Sequence, residues 1–193
     1  TPKAETIVSF KHAIIATGSH PFVLPDSPED PRIWDSTDAL ALQMVPKRLL
    51  IIGGGIIGLE MAQVYHALGS EITIVEMEAQ IIPPADKDLV QPLFLKLKKA
   101  YQILTQTKVT KIKALKKNIN VTFEGAKTNE SADYDVVLVA VGRRPNSRNL
   151  GLDALGLQAN KQGFIEVNEC QQTQVSHIYA IGDVVGEPML AHK

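Results

Sequence analysis

Residues 48–76, RLLIIGGGIIGLEMAQVYHALGSEITIVE, run through an apolar strand-like stretch, a glycine cluster opening a helical pattern, and a second apolar stretch ending in an acid. That order describes a strand–helix–strand unit built to hold a dinucleotide. Leu49 to Ile52 reads as a short buried parallel strand. Gly53, Gly55 and Gly58 fit the G-x-G-x-x-G spacing. The first glycine permits the tight turn. The second lets pyrophosphate approach bare backbone. The third lets the helix pack against the strand. The helix N-terminus that follows offers its unpaired N–H groups and partial positive charge to the phosphates. Ile57, Met61, Val64, Tyr65 and Leu68 recur at helical spacing and define the expected inner face. Gly69 is placed to end the helix.

The second strand, Ile72 to Val75, ends at Glu76, 18 positions after Gly58 and near the roughly 20 expected of a ribose-binding acid. A carboxylate there accepts hydrogen bonds from both ribose hydroxyls and repels a 2′-phosphate, so NAD is expected over NADP. A bare glycine motif is often no more than a turn. The strand, helix, second strand and acid together weigh strongly against that reading of this stretch.

The net charge of −1 argues against nucleic acid as a main partner. The lysines at 96, 98 and 99, and at 111, 113, 116 and 117, read as solvated faces of a helix and a hairpin. No apolar stretch reaches the roughly 20 residues needed to cross a bilayer. Cys170 is the only cysteine, so no disulfide and no dithiol centre forms within the chain. No His/Cys/Asp/Glu cluster has zinc spacing, and Ser19-His20 and Ser176-His177 lack a nucleophile elbow. No catalytic residue and no metal ligand is therefore assigned.

The expected organisation is α/β. Residues 6–10 and 12–16 read as strands, and 20–36, with four prolines, as a linker that can be neither helix nor central strand. Asp35 or Ser36 caps a short helix through Leu42. A second helix from Asp86 to about Lys99 has Leu89, Val90, Leu93, Phe94 and Leu97 inward and a kink at Pro92. The stretch 102–124 alternates as an antiparallel meander. Residues 136–141, VVLVAV, form another buried parallel strand delivering Gly142 and Arg143 to its carboxyl end, where ligands gather in such sheets. Short strands at 164–167 and 178–181 complete the pattern. AIIATG at 13–18 and VLVAVG at 137–142 echo one another and suggest two related sheets. Asp183, after the strand IYAI, reads locally as a cap or turn aspartate. Arg143 and Arg144 suit a phosphate or a carboxylate, or plain solvent exposure. Both termini read as lying inside a longer protein.

AIIATGS, EDPRIWDSTDAL, LLIIGGGIIGLEMAQVYHALGS, TIVEM, TKVT, VLVAVGRRPN and HIYAIGDVVGEPMLAHK together resemble the FAD- and NAD-dependent disulfide reductase family over essentially the whole chain. LEMAQVYHALGS with Glu76 points to its lipoamide branch. The resemblance implies a Rossmann-like NAD-binding domain over 37–147 with a parallel sheet, a βαβ unit and an antiparallel β-meander. Residues 1–36 and 148–193 would be parts of an FAD-binding domain that the chain leaves and re-enters. It implies the cofactors NAD and FAD and a redox-active disulfide elsewhere in the parent. It further implies a homodimer, and a lipoyl domain on an acyltransferase subunit of a 2-oxo acid dehydrogenase complex as partner. The expected home is the bacterial cytoplasm or the mitochondrial matrix. By resemblance, Gly53 to Ile57 hold the NAD pyrophosphate, Glu76 the adenosine ribose and Val109 the adenine. Glu60 lies near the nicotinamide amide, and Ala140, Val141, Gly142 and Arg143 line the nicotinamide side. Thr17 and Gly18 pack near the flavin, Asp183 binds its ribityl chain or phosphate region, and Met189, Leu190, Ala191 and His192 pass beside its ring. The first FAD-binding glycine motif, the cysteine pair and a C-terminal His/Glu pair are not in these residues, and Pro92 is not expected in its helix. The chain alone is expected to bind NAD weakly and to be inactive and colourless.

Three other readings are weighed against this one. A non-catalytic NAD-binding module finds no regulatory surface here. A related flavoprotein, such as a soluble transhydrogenase, is separated by the cysteine pair of the parent. A simple alcohol or sugar dehydrogenase lacks its acid–base residue.

Overall fold

The computed structural model describes residues 6–125 and 128–190, and the side chains of 128 and 129 are left aside. The chain divides into two compact units, Pro21–Gly142 and the two flanking stretches Thr1–His20 with Arg143–Lys193. The sequence reading set these boundaries at 36/37 and 147/148.

The central unit is built on a five-stranded parallel sheet of β3 (Ile33–Trp34), β10 (Val136–Val139), β4 (Arg48–Ile52), β5 (Glu71–Val75) and β6 (Gln102–Leu104), in that spatial order. The strands are continuous apolar runs because both faces are covered. Leu49 and Ile51 point into a core shared with Met61, Ala62 and Tyr65 of α2 (Ile56–Ala67). Leu50 and Ile52 point the other way, into a core shared with Ile119, Val121 and Phe123 of an antiparallel meander. That meander is β7 (Thr107–Ala114), β8 (Ile119–Gly125) and β9 (Thr128–Tyr134). Each fully buried Leu or Ile of β4 contributes on the order of 1.5–3 kcal/mol relative to exposure.

The local signals act as expected at several points. Asp35 caps α1 (Ser36–Leu40) with a capping box: its carboxylate accepts from the Thr37 and Asp38 N–H groups, and the Asp38 carboxylate accepts from Asp35 N–H. Gly69, at φ 105°, closes α2 in a Schellman arrangement, its N–H bonding the His66 carbonyl and Ser70 N–H the Tyr65 carbonyl. The inner face of α2 differs from the expected one. Gly58, Leu59, Met61, Ala62 and Tyr65 are buried, whereas Val64 and Leu68 are exposed, because the buried stripe is rotated toward the glycine-rich side that packs on β4. In α3 (Lys87–Leu97) only Val90 is fully buried. Phe94 and Leu97 pack partly, and Leu89 is 71% exposed. The helix runs through Pro92 as one element. All the named lysines are exposed.

Three further differences have local causes. Residues 102–104 join the parallel sheet as β6 instead of the meander. The polar strand β9 went unread because one of its faces is turned to solvent. Residues 20–36 are not purely linker, since Ile33–Trp34 form an edge strand beside β10, where the preceding Pro31 removes no ladder bond.

The flanking unit carries β1 (Ala13–Ile15) parallel to β12 (Ile178–Ala180), and β2 (Ser19–Pro21) paired with β11 (Arg143–Pro145). Residues 6–10 form no strand, and 164–167 contribute only a single bridge, Ala159 to Ile165. The two echoing stretches both form parallel-paired strands, β1 and β10, followed by a positive-φ glycine, Gly18 and Gly142, and they differ in that β10 is buried throughout whereas Ile14 of β1 is 62% exposed. Leu152, Leu157, Ile165, Ile178, Ala180 and Val184 form this unit's own small core.

Candidate functional site

β4 ends in the glycine turn, and each glycine has a separate physical reason. Gly53 adopts φ 109°, and a Cβ there would overlap the Ala140 carbonyl at the end of β10. Gly58 packs so closely that a Cβ would overlap the Gly53 carbonyl. Gly54 faces the acid, where a Cβ would lie 3.2 Å from the Glu76 side chain. Gly55 faces open space, with nothing within 4 Å. It is the N-cap of α2, it offers no side-chain cap to the first-turn N–H groups, and no acid sits in that turn. A cap without a side chain, before a 12-residue helix, leaves donors and dipole available to an anion.

Glu76 is only 8% exposed, and its carboxylate is turned toward the glycine turn. Oε2 accepts from Gly54 N–H at 2.7 Å and Oε1 from Glu78 N–H at 2.8 Å. A carboxylate has about four acceptor positions, so the two backbone bonds orient it and leave capacity for a diol. Its backbone is fixed as well, since Glu76 N–H bonds the Leu104 carbonyl at 2.8 Å and Gly53 N–H the Val75 carbonyl at 2.8 Å. The turn and the acid are thus one hydrogen-bonded object at the carboxyl ends of β4 and β5. These residues fit the diphosphate and ribose of a dinucleotide.

Around that object, Ile56 is exposed, Ile57 half-buried, and Glu60 exposed one turn further along α2. Ala140 follows β10, with its N–H on the Ile52 carbonyl at 2.8 Å, and is succeeded by exposed Val141 and by Gly142 at φ 131°. Val109 lies on β7 against the meander-side core, in the strand whose first residue, Thr107, donates its N–H to the Glu76 carbonyl at 3.0 Å. A concavity of about 390 Å³ lies at the opposite, amino ends of the strands, among Arg48, His66, Glu71, Thr73, Gln102 and Tyr134. It takes no part in the glycine turn.

The flanking unit holds a second polar group. Asp183 lies in the 3-10 turn Gly182–Val184 that follows β12. Ser19 Oγ donates to Asp183 Oδ2 at 2.6 Å, and Arg143 Nε donates to the same Ser19 Oγ at 2.6 Å. Arg143 Nη2 also donates to the Ser19 carbonyl at 2.9 Å, and its Nε lies 3.9 Å from Asp183 Oδ2. Arg143 is therefore brought to Asp183, while Ala140, Val141 and Gly142 belong to the central unit. Thr17 Oγ1 donates to the Asn146 carbonyl at 2.8 Å, and the Gly18 carbonyl accepts from Asn146 N–H at 2.9 Å. Met189 and Leu190 are half-buried, non-helical residues. Ala191 and His192 lie outside the described residues. The sequence marks neither Ser19 nor Asn146 as a site residue. Their partners are 124 to 164 positions away, and no local pattern marks such pairs.

Residues 1–193 match the family described as pyridine nucleotide-disulphide oxidoreductase. The chain belongs to that family. It is 53% identical over 193 residues to a dihydrolipoyl dehydrogenase of Vibrio cholerae, covering 99% of this chain and 41% of that protein. It is 54% identical over 189 residues to the dihydrolipoyl dehydrogenase of Haemophilus influenzae, covering 97% and 40%. The chain thus spans about two fifths of the relatives it matches. Among solved structures, it resembles the HOCl-induced flavoprotein disulfide reductase RclA of Escherichia coli, in its Cu(II) complex. That match has a TM-score of 0.87 at 27% identity, over 100% of this chain and 43% of that one. It also resembles LpdA of Mycobacterium tuberculosis, with a TM-score of 0.82 at 25% identity, over 93% and 39%. The expected α/β, Rossmann-like class agrees with these likenesses. Among the described residues, no helix is long and apolar enough to cross a membrane, and no group of three or more His, Cys, Asp or Glu is placed to hold a metal.

Proposed function

We propose that this chain is the NAD-binding region, with adjoining parts of the FAD-binding region, of a dihydrolipoyl dehydrogenase. The observation that carries the reading is the bonded pair of Gly54 N–H and Glu76 carboxylate beside the open N-cap at Gly55. In this reading Pro21–Gly142 is the NAD-binding unit and the flanking unit contributes to the flavin site.

Gly53 to Gly58 seat the pyrophosphate against backbone N–H groups. Glu76 accepts the adenosine ribose hydroxyls, and Val109 lies under the adenine. Glu60 and Ala140 to Gly142 border the nicotinamide end. Thr17, Gly18, Asp183, Met189 and Leu190 serve the flavin, as do Ala191 and His192. When bound, flavin and nicotinamide supply the electron transfer from an enzyme dithiol to NAD. The work of these residues is to bind and orient the carriers and to keep water from them. The chain's single cysteine forms no pair within it, so the disulfide belongs to other residues of the whole protein. The partner is a lipoyl domain of an acyltransferase subunit, the functional form a homodimer, and the compartment the bacterial cytoplasm, consistent with bacterial relatives. A different flavoprotein disulfide reductase is the second reading. The 27% identity to RclA supports it far less than 53% supports the first.

Titration of NAD and NADP into the full-length protein tests the assignment of Glu76. NAD binds at least about tenfold more tightly in the wild type, and Glu76→Arg narrows or reverses that preference, since a charge-assisted hydrogen bond is worth about 1.5–3 kcal/mol. Equal or tighter NADP binding by the wild type ends the reading.

A further inference from the structure

Arg143 follows directly on the stretch that borders the nicotinamide in the reading above, yet its guanidinium is engaged elsewhere. We infer that Ser19 and Arg143 are positioning residues for the Asp183 carboxylate, and that Arg143 serves the flavin end of the reaction instead of the pyridine nucleotide. The inference rests on the proposed role of Asp183 as a flavin ligand.

The chemistry of the three groups fixes the direction of each bond. An arginine Nε only donates. At 2.6 Å from Ser19 Oγ it occupies a lone pair of that hydroxyl and leaves the serine's single proton for its other neighbour. That neighbour is Asp183 Oδ2, also at 2.6 Å. The same guanidinium is tied to the strand by the 2.9 Å bond from Nη2 to the Ser19 carbonyl, so the planar fork sets both its own orientation and that of the hydroxyl. Lysine, a single flexible donor centre, lacks this two-point hold.

These contacts fall on Oδ2, which leaves Oδ1 as the oxygen that accepts a ligand hydroxyl. The Arg143 and Asp183 side chains are 23% and 28% exposed, respectively. The carboxylate is thus held through Oδ2 while its side chain stays partly exposed. β2 supplies the serine, β11 the arginine and the turn after β12 the acid, so three separate stretches are fastened at one point. A polyol such as the ribityl chain of a flavin has the hydroxyl that a carboxylate held in place through one oxygen receives. Preorganisation of this kind lowers the ordering cost of binding and adds no new contact to the ligand.

The test uses the full-length enzyme, stripped of flavin and titrated with FAD by fluorescence, with NAD affinity measured in parallel. Ser19→Ala and Arg143→Met each weaken FAD binding by about tenfold, Ser19→Thr restores it, and NAD affinity stays within about twofold. Ser19→Ala adds nothing in an Asp183→Asn background, because the serine acts only through that carboxylate. A loss of NAD affinity in Arg143→Met with FAD binding unchanged overturns the inference and returns Arg143 to the nicotinamide side. Multiplying effects of Ser19→Ala and Asp183→Asn also overturn it. If Asp183→Asn weakens FAD but neither positioning variant does, the inference fails and the Asp183 reading stands. If Asp183→Asn leaves FAD affinity intact, that reading fails and the inference with it.

Discussion

The glycine turn with Glu76 and the Ser19–Arg143–Asp183 group are both polar sites at the carboxyl ends of parallel strands, but they are assembled in opposite ways. The first comes from a single contiguous strand–helix–strand unit, and its key bond joins residues 22 positions apart. The second ties together three stretches, with separations of 124 and 164 positions. In the first, a bare glycine backbone meets one side chain, Glu76, so the main demand on sequence is for residues without side chains. In the second, side chains do the work, so each depends on the others' placement. A site made of backbone is specified by local turn chemistry, and a site made of converging side chains is specified by the fold.

Four substitutions press on that contrast. The largest effect is expected from Gly58→Ala. The added methyl meets the Gly53 carbonyl, and a clash between backbone segments in a packed unit costs about 3 kcal/mol. Thermal unfolding reads it, and NAD affinity falls with it. Gly55→Ala separates packing from ligand contact. The methyl enters open space, so stability changes by less than about 1 kcal/mol. NAD affinity measured by titration drops about tenfold, because the phosphates lose their close approach to the backbone. A Gly55→Ala protein that binds NAD normally would break the assignment of this turn.

In the other region, Gly182→Ala meets no neighbour but must hold φ 76°, at a strain cost of about 1 kcal/mol. Its expected effect is on FAD affinity, with NAD affinity unchanged. The smallest effect is expected at Asp30, outside both regions. The hydrogen bond from the Arg32 guanidinium, 2.7 Å away, holds its carboxyl down at about 2. A folded-state pKa below the unfolded value near 3.9 means stability that is present above about pH 4 and lost as pH falls toward 2. Asp30→Asn therefore costs less than about 1 kcal/mol at neutral pH. Wild type and variant converge in denaturant midpoint near pH 2, with both ligand affinities unaffected. A larger loss at acid than at neutral pH would contradict the assignment.

The helices teach a narrower lesson about what can be read from spacing. Periodicity identified α2 and its closing glycine, yet it counted Val64 and Leu68 as inward where Gly58, Leu59 and Ala62 are the buried contacts. Hydrophobicity alone misses a stripe that packs through small residues. In α3, Leu89 and Leu93 match the period, but only Val90 is fully covered by the described residues. The apolar runs of β4 and β10 were legible because burial on two faces leaves no polar position. β9, TNESADY, was not, since it lacks an apolar run and residues 130–133 are exposed or only half-buried.

Sequence by itself determined the strand–helix–strand unit: where the strand stops, why glycine is required, where the acid follows and which helix end opens at the glycine turn. These rest on sterics and hydrogen bonds that span at most a turn or two. Tertiary structure alone decided that Gly53 is held against Ala140, that the Glu76 carboxylate turns back onto Gly54, and that Ser19 and Arg143 meet Asp183. Each of those contacts joins segments whose proximity no local preference encodes. They depend on the packing of strand ends that are far apart in the sequence.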